Sequence, residues 1–234
     1  MVDRFSASAS EIFAGAIQDY QRGIIIGQKT FGKGTVQTLD NLSSGQLKIT
    51  ESKFYRVTGS GMQNKGIHPD IILPSSWDID EIGESSFDTA LPWDHIKPVR
   101  FQKFFMDSSI ISDLTNQHHI RVKENPNLQY ILNIRERYEL QKSKDEISLN
   151  IKNRQNEKKE RQIWALEIEN KRRALLNLEI FDSYQAMEDF NELKETEDKN
   201  LQINIDDDYL LYEGAEILSD YMILNQNNYL TEAA

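Results

Sequence analysis

The chain has 234 residues, 38% of them hydrophobic and 28% charged, and 38 acidic against 27 basic side chains give a net charge of −11. That balance argues against nucleic acid as the main partner, because a phosphate backbone rewards a basic surface. The absence of cysteine excludes disulfides and thiolate metal sites, and no apolar run nears the ~18 residues of a membrane span. The length suits one large domain or two small ones.

From the start of the chain, Met1-Val2-Asp3-Arg4 carries neither the basic nor the apolar region of a signal peptide. Residues 8–20 put Ile12, Phe13, Ala16 and Ile17 on one side, which predicts an amphipathic helix starting near Ser8. Ser8-Ala9-Ser10-Glu11 has the S-x-x-E spacing of a capping box, in which a serine ties down free N–H groups. Residues 23–27 (GIIIG) read as a short buried strand. A turn over Thr30–Gly34 follows, then a strand over Thr35–Leu39, a turn over Asn41–Gln46 and a strand over Leu47–Val57. Thr58–Lys65 is a loop, and Ile67–Leu73 a short strand that Pro69 confines to an edge or a strand start.

From Pro74 the composition changes. Pro74–Ser86 is an acidic linker containing Asp78, Asp80, Glu81 and Glu84, and Leu91-Pro92-Trp93 offers an aromatic docking point. A helix with Leu128, Ile131, Leu132 and Tyr138 as its stripe is expected over 126–147 behind Pro126. A short strand is expected over 148–152 and a charged helix over 153–178, whose Lys and Arg alternate with Glu as a solvated face of i, i+4 pairs. Asp206–Leu224 reads as a last helix with its acidic residues at the positive end of the dipole. No internal repeat is visible.

The chemistry concentrates in the first forty residues. A serine hydroxyl is a poor nucleophile until a base takes its proton, and a lysine serves only when its pKa is brought down from about 10.4. Lys33 stands between Gly32 and Gly34, which leave its approach unobstructed, with Phe31 and residues 24–26 as an apolar wall and Gln37 four residues on. The pairing of Ser8 with Lys33 is thus a hydrolase reading, and the capping box is its structural alternative; spacing alone leaves both open. Ser6 and Ser10 are competing hydroxyls. Residues 27–34 (GQKTFGKG) nearly satisfy the phosphate-binding pattern G-x-x-x-x-G-K-[ST], but Gly34 replaces the magnesium-binding hydroxyl and a β-branched stretch follows instead of a helix. Nucleotide binding is therefore not expected. His68, His95, His118 and His119 read as structural or solvent-facing, the adjacent pair being poorly placed to share a metal. Asp206-Asp207-Asp208 lacks the spaced ligands of a calcium loop.

Residues 3–14 (DRFSASASEIFA) and 27–37 (GQKTFGKGTVQ) resemble the catalytic segment of the C-terminal processing peptidases, and the nearer likeness is to the long bacterial tail-specific proteases. Residues 54–57 (FYRV), 65–72 (KGIHPDII) and 90–94 (ALPWD) resemble later landmarks of the same family. The resemblance is dense over residues 1–100 and thins to a charged helical pattern beyond. It implies an α/β fold, a partial crotonase-like or ClpP-like protease core, followed by a mainly α-helical C-terminal region. The implied domains are residues 1–75 as the half-core with the Ser–Lys site, 76–100 as a linker and 101–234 as the helical C-terminal domain. It implies Ser8 as nucleophile, Lys33 as general base, Gln37 as the residue that orients the lysine, and the N–H of Ala9 as an oxyanion donor. A PDZ-like domain and a second oxyanion donor are expected upstream, so the chain reads as the C-terminal part of a larger protease.

The implied activity is an ATP-independent serine endopeptidase acting near protein C-termini, with no cofactor, no nucleotide and no nucleic acid. Protein or peptide substrates with accessible C-termini are the expected partners, with an adaptor or self-association at the helical region and a periplasmic or envelope location. The competing reading is a non-catalytic helical interaction protein with a remnant protease core, because the sparse apolar faces of 126–178 suit helices that need a partner surface. An acyl-CoA enzyme of the crotonase type is a minor third reading, carried by fold analogy alone.

Overall fold

The computed structural model describes residues 1–78, 81–104, 108–198 and 208–232. The elements in order are α1 (Ala9–Asp19), β1 (Ile26–Gly27), β2 (Thr35–Asn41), β3 (Gln46–Lys53), β4 (Ile71–Ile72), a 3₁₀ turn (Glu84–Ser86), α2 (Ser108–Glu124), α3 (Pro126–Lys142), α4 (Ile151–Leu175), α5 (Tyr184–Asp198) and α6 (Tyr209–Glu232). They form two compact units, one made of Met1–Gln117 with Gly214–Ala234 and the other of His118–Glu213. The fold is α/β with a helical C-terminal part, as the resemblance implies.

In the first unit the core is a small parallel arrangement. β1 pairs with β4 in parallel, Ile26 against Ile71 and Gly27 against Ile72. Val2 bridges Gly27 in parallel on the other side, its N–H donating to Ile26 O at 2.9 Å. The chain thus runs strand, α1, strand, which is the crossover that parallel strands require. Ala14, Ile25, Met62 and Ile67 form the buried cluster, with Val2, Ile17 and Phe54 packed on it. β2 and β3 make an antiparallel hairpin from Thr35 against Lys53 to Asn41 against Gln46, with a bulge between Val36 and Gln37. Its outer half faces solvent, Leu39 included.

The buried face of α1 differs from the expected one. Ile12 and Phe13 are exposed, and the helix turns Glu11, Ala14, Gly15 and Asp19 inward. The reason is close approach plus polar anchoring. A Cβ on Gly15 would lie 3.1 Å from Ile67 Cδ1, so the helix sits against Ile67 where only a small residue fits; the strand expected over 67–73 is confined to Ile71–Ile72. Asp19, at the far end, is clasped by the Arg56 guanidinium, whose Nε donates to it at 2.9 Å. Gln18 adds donations to His68 O at 3.0 Å and to Asp70 at 2.8 Å.

Residues 81–104 are bonded along the core. Trp93 Nε1 donates to Gly61 O at 2.8 Å and stacks on His95, and the Lys65 ammonium sits 3.3 Å above the Trp93 ring. Gly61 N donates to Asp94 O, Ile96 N to Gly59 O and Val99 N to Val57 O. Asp80 of the acidic segment lies outside the described residues.

The helical part of the chain departs from the sequence expectations in several places. Helices occupy 108–124 and 184–198, where a helical domain was expected but no individual helix was placed. The strand expected over 148–152 is absent; Asn150 instead caps α4, its side chain accepting from Lys152 N at 2.9 Å. The alternating Ile147, Leu149 and Ile151 are all exposed, with no sheet to receive them. The expected helices shorten or shift, to end at Lys142 and to run from Ile151 to Leu175. Asp206 and Asp207, expected to open the last helix, lie outside the described residues, and α6 begins at Tyr209. Leu128 and Met187 are buried here.

Two charged clusters hold this unit. Arg172 donates to Glu169 Oε2 at 2.8 Å, Asn127 at 2.8 Å and the Tyr209 hydroxyl at 2.7 Å, and lies over the Tyr130 ring. Burial alone would lower the Arg172 pKa, but the hydrogen bond to Glu169 and the neighbouring Tyr209 and Tyr130 leave it raised. Buried His118 meets Glu213 at 2.8 Å, and Arg121 Nε donates to the same carboxylate at 2.9 Å. His119 is exposed beside it.

Candidate active site

Ser8 ends the segment that follows Val2 and is the residue from which α1 springs. Its φ of 57° and ψ of −115° put a β-carbon-bearing residue in the left-handed half of conformational space. Such strain persists only where neighbours impose it, and a tight strand-to-helix turn that projects a nucleophile is a familiar place for it. The two neighbouring hydroxyls are otherwise engaged. Ser6 Oγ donates to the Asp3 carboxylate at 2.8 Å and accepts from Asp3 N at 3.0 Å, and Ser10 Oγ donates to Ala7 O at 3.1 Å. Ala9 is the first helical residue, where a backbone N–H has no acceptor within the helix and the dipole favours negative charge.

Lys33 sits at the tip of a turn that three segments grip. Gly32 has a φ of 88°, and Asn64 N donates to its carbonyl at 2.8 Å. Gly34 N donates to Gln63 Oε1 at 2.9 Å, and Phe54 N donates to Gly34 O at 3.0 Å. A Cβ on Gly34 would lie 2.5 Å from Gln63 N and one on Gly32 3.0 Å from Asn64 C, so both glycines are demanded by main-chain approach of 63–64. Lys33 itself is half-buried, and Phe31 lies against Phe87 at 6.4 Å between ring centres.

Glu11 joins the two turns. It is fully buried, and its carboxylate accepts four hydrogen bonds: from Thr30 Oγ1 at 2.5 Å and Gly32 N at 2.7 Å on Oε1, and from Ser8 N and Lys33 N, each at 2.9 Å, on Oε2. The Ser8 and Lys33 nitrogens therefore lie no further apart than the sum of those two bonds. The capping box expected from the S-x-x-E spacing is present on both the Ser8 and the Glu11 side, and the Glu11 half is one bond of that carboxylate's four. Phe31 N donates to Ser6 O at 2.9 Å, and the buried Arg4 guanidinium donates to Thr30 O, tying the same two segments again. Thr30 Oγ1 in turn accepts from Ile67 N at 2.7 Å.

Gln37 follows the bulge in β2, a device that re-aims a side chain near a site. It is exposed, and its Nε2 donates to Thr50 Oγ1 at 3.2 Å. Lys33 and Gln37 share a cleft of about 260 Å³ whose walls include Gln63, Glu84, Phe87 and Leu91. Ser8 does not line that cleft; it reaches Lys33 through Glu11. His68, on the 65–70 segment, is held below its ordinary pKa of 6.5 by partial burial and by the cations of Lys29, Arg4 and Lys65. Among the described residues no group of His, Asp and Glu is arranged to hold a metal. No helix among them is long and apolar enough to cross a membrane.

Glu11, Asp19 and Arg56 carry the site's framework, yet sequence reasoning gave Glu11 only a cap and Asp19 nothing. The readable signal was a first-turn carboxylate spaced i, i+3, i+4, i+8 with small residues and a second carboxylate, which is a buried stripe written in polar and small letters.

Residues 1–73 match the model of peptidase family S41, and residues 77–223 match that of the C-terminal domain of tail specific protease. The tail-specific protease of Haemophilus influenzae is 36% identical over 254 residues, covering all of this chain and 33% of that protein. The carboxy-terminal-processing protease of Bartonella bacilliformis is 47% identical over 74 residues, 31% of this chain and 17% of that one. A solved photosystem II D1 C-terminal processing protease is 42% identical over 31% of this chain and 19% of its own, with a TM-score of 0.29. The chain spans about a third of the length of the first of these relatives. Serine turn, lysine turn and helical extension follow one another as the two family models do, and the chain belongs to the tail-specific proteases of peptidase family S41.

Proposed function

We propose that the chain carries the Ser–Lys machinery of a serine endopeptidase that cleaves proteins near their C-termini without ATP. The observation that supports this best is the bonding of the strained Ser8 turn and the Lys33 turn into one unit. In this mechanism Ser8 Oγ attacks the scissile carbonyl and its proton passes to the Lys33 amine. The Ala9 N–H, at the positive end of α1, faces the oxyanion that develops. Lys33 then returns the proton to the departing amine, and water, activated by the same amine, releases the acyl group. Gln37 orients the lysine by accepting from its amine through the amide oxygen, with its NH₂ held on Thr50. Substrates are proteins with accessible C-termini, and by family likeness the working location is the periplasm or cell envelope.

The test is a fluorophosphonate probe applied to the chain and to a full-length chimera in which it replaces the matching third of the Haemophilus influenzae relative. Labelling at Ser8 that drops by about 10²-fold or more in Lys33→Ala supports the reading, since removal of a general base has effects of that size. Labelling of neither form, or labelling indifferent to Lys33, defeats it. A second reading, a helical interaction module, is favoured by the exposed Leu140, Ile147, Leu149, Ile163 and Leu178. It predicts stable association with a partner protein that survives Ser8→Ala.

A further inference from the structure

We propose that Glu11 is a positioning residue of this site, holding the Ser8 hydroxyl and the Lys33 amine in register so that the proton can pass between them. The proposal rests on the reading of Ser8 and Lys33 as nucleophile and base. A helix cap needs one local bond. Glu11 makes one such bond, to Ser8 N, and three others to residues 30–33, nineteen or more positions away in sequence. Burying a carboxylate fully is costly unless its lone pairs are taken up. Here all the contacts are N–H or O–H donors at 2.5–2.9 Å, the lengths of charge-assisted bonds.

The chemistry of the group explains the choice of residue. An ionised carboxylate is acceptor-only and offers about four lone-pair sites, whereas a glutamine of equal length accepts at one end and donates at the other. Oε2 is the decisive atom, because it binds the N–H of the nucleophile residue and the N–H of the base residue together. It also restrains the Ser8 main chain at a φ of 57°, a conformation that would otherwise relax. Removing this tie frees two turns whose relative placement has to be held within about an ångström for efficient transfer.

The experiment is a double-mutant cycle on the rate of Ser8 labelling by a fluorophosphonate in the full-length chimera. In the labelling step a Ser8 Oγ–phosphorus bond forms, fluoride departs and the serine proton goes to Lys33. The expected result is that Glu11→Ala slows labelling by about 10²-fold, close to the effect of Lys33→Ala. The double variant Glu11→Ala/Lys33→Ala is then no slower than either single variant. Glu11→Gln falls between, because its oxygen can still serve Ser8 and Lys33 while its NH₂ meets the Gly32 N–H. If Lys33→Ala slows labelling by the same factor with and without Glu11, the residue only supports the fold and the proposal is overturned. Wild-type protein that does not label, or labels independently of Lys33, removes the hydrolase reading and this one with it. Should circular dichroism show Glu11→Ala unfolded, the cycle is run with Glu11→Gln, and the same two outcomes decide it.

Discussion

Each unit has a charge that gathers its surroundings, buried Glu11 in the first and half-buried Arg172 in the second, and the two have opposite signs. In the first, the Glu11 carboxylate gathers three backbone N–H groups and one hydroxyl. In the second, the Arg172 guanidinium gathers side chains of Asn127, Glu169 and Tyr209 from three helices. The difference follows from backbone bookkeeping. Inside α3 and α4 the N–H groups are already spent within the helices, so only side chains remain to connect them. The turns at 6–9 and 30–34 have main-chain donors left over, and an anion can collect them. A region built the first way fixes main-chain positions closely, which suits a site; one built the second way fixes helix packing.

Arg172→Met is the strongest blow to the helical side. It leaves Glu169, whose side chain is 9% exposed, without its two-pronged partner, and breaking a buried pair in this way costs about 3–5 kcal/mol. A fall of that size in urea stability, with hydrogen exchange quickening in α3 and α4, is expected; Arg172→Lys should recover only part, since the fork geometry is lost. Gly34→Ala tests the other side, where the added carbon would meet Gln63 main chain at 2.5 Å. Overpacking of that kind costs about 3 kcal/mol, and exchange should quicken at 30–34 and 62–64. Gly45→Ala is its counterpart: φ is positive at 89°, unlike at Gly34, and nothing lies within 4 Å of the added carbon. There the cost should be about 1–2 kcal/mol, from backbone strain alone. Equal losses at Gly34 and Gly45 would mean that close main-chain approach is not what fixes the lysine turn.

The glycines also show what a single sequence discloses. The apolar run at 23–27 and the glycine pair around Lys33 announced a strand and a turn; of that strand β1 keeps only Ile26 and Gly27. The reason for the glycines was not legible, since nothing local says that residues 63–64 press against them. The inner face of α1 was misread because hydrophobicity was the guide, while the buried positions are Glu11, Ala14, Gly15 and Asp19. Apart from Ser8, the partners of Glu11 lie 19 to 22 residues away and that of Asp19 lies 37 away, and a carboxylate destined for four donors looks like any solvated one. Over α2 the signal was present and overlooked: Ile110, Leu114 and His118 are buried at helical spacing within a run of Ser, Asn and Gln. Residues 147–151 show the reverse, an alternating pattern with no neighbouring strand to pair with, so the chain takes the Asn150 cap and goes helical.

The smallest effect expected concerns acid stability. His68 has its pKa lowered from 6.5 by partial burial first, then by Lys29, Arg4 and Lys65. The folded state thus disfavours the imidazolium more than the unfolded chain does. A depressed folded pKa gives a stabilising contribution that is full above about pH 6.5 and is lost as pH falls through the lowered value. His68→Gln keeps the carbonyl that accepts from Gln18 and cannot titrate. The wild type should therefore lose more stability than His68→Gln as pH falls below about 6.5, with the two curves running parallel near pH 8. Should acid instead favour the wild type, an anion such as Asp70 governs this segment. The cations around 65–70 would then be screened, and the polar order of the first unit would rest on Glu11 and Asp19 without them.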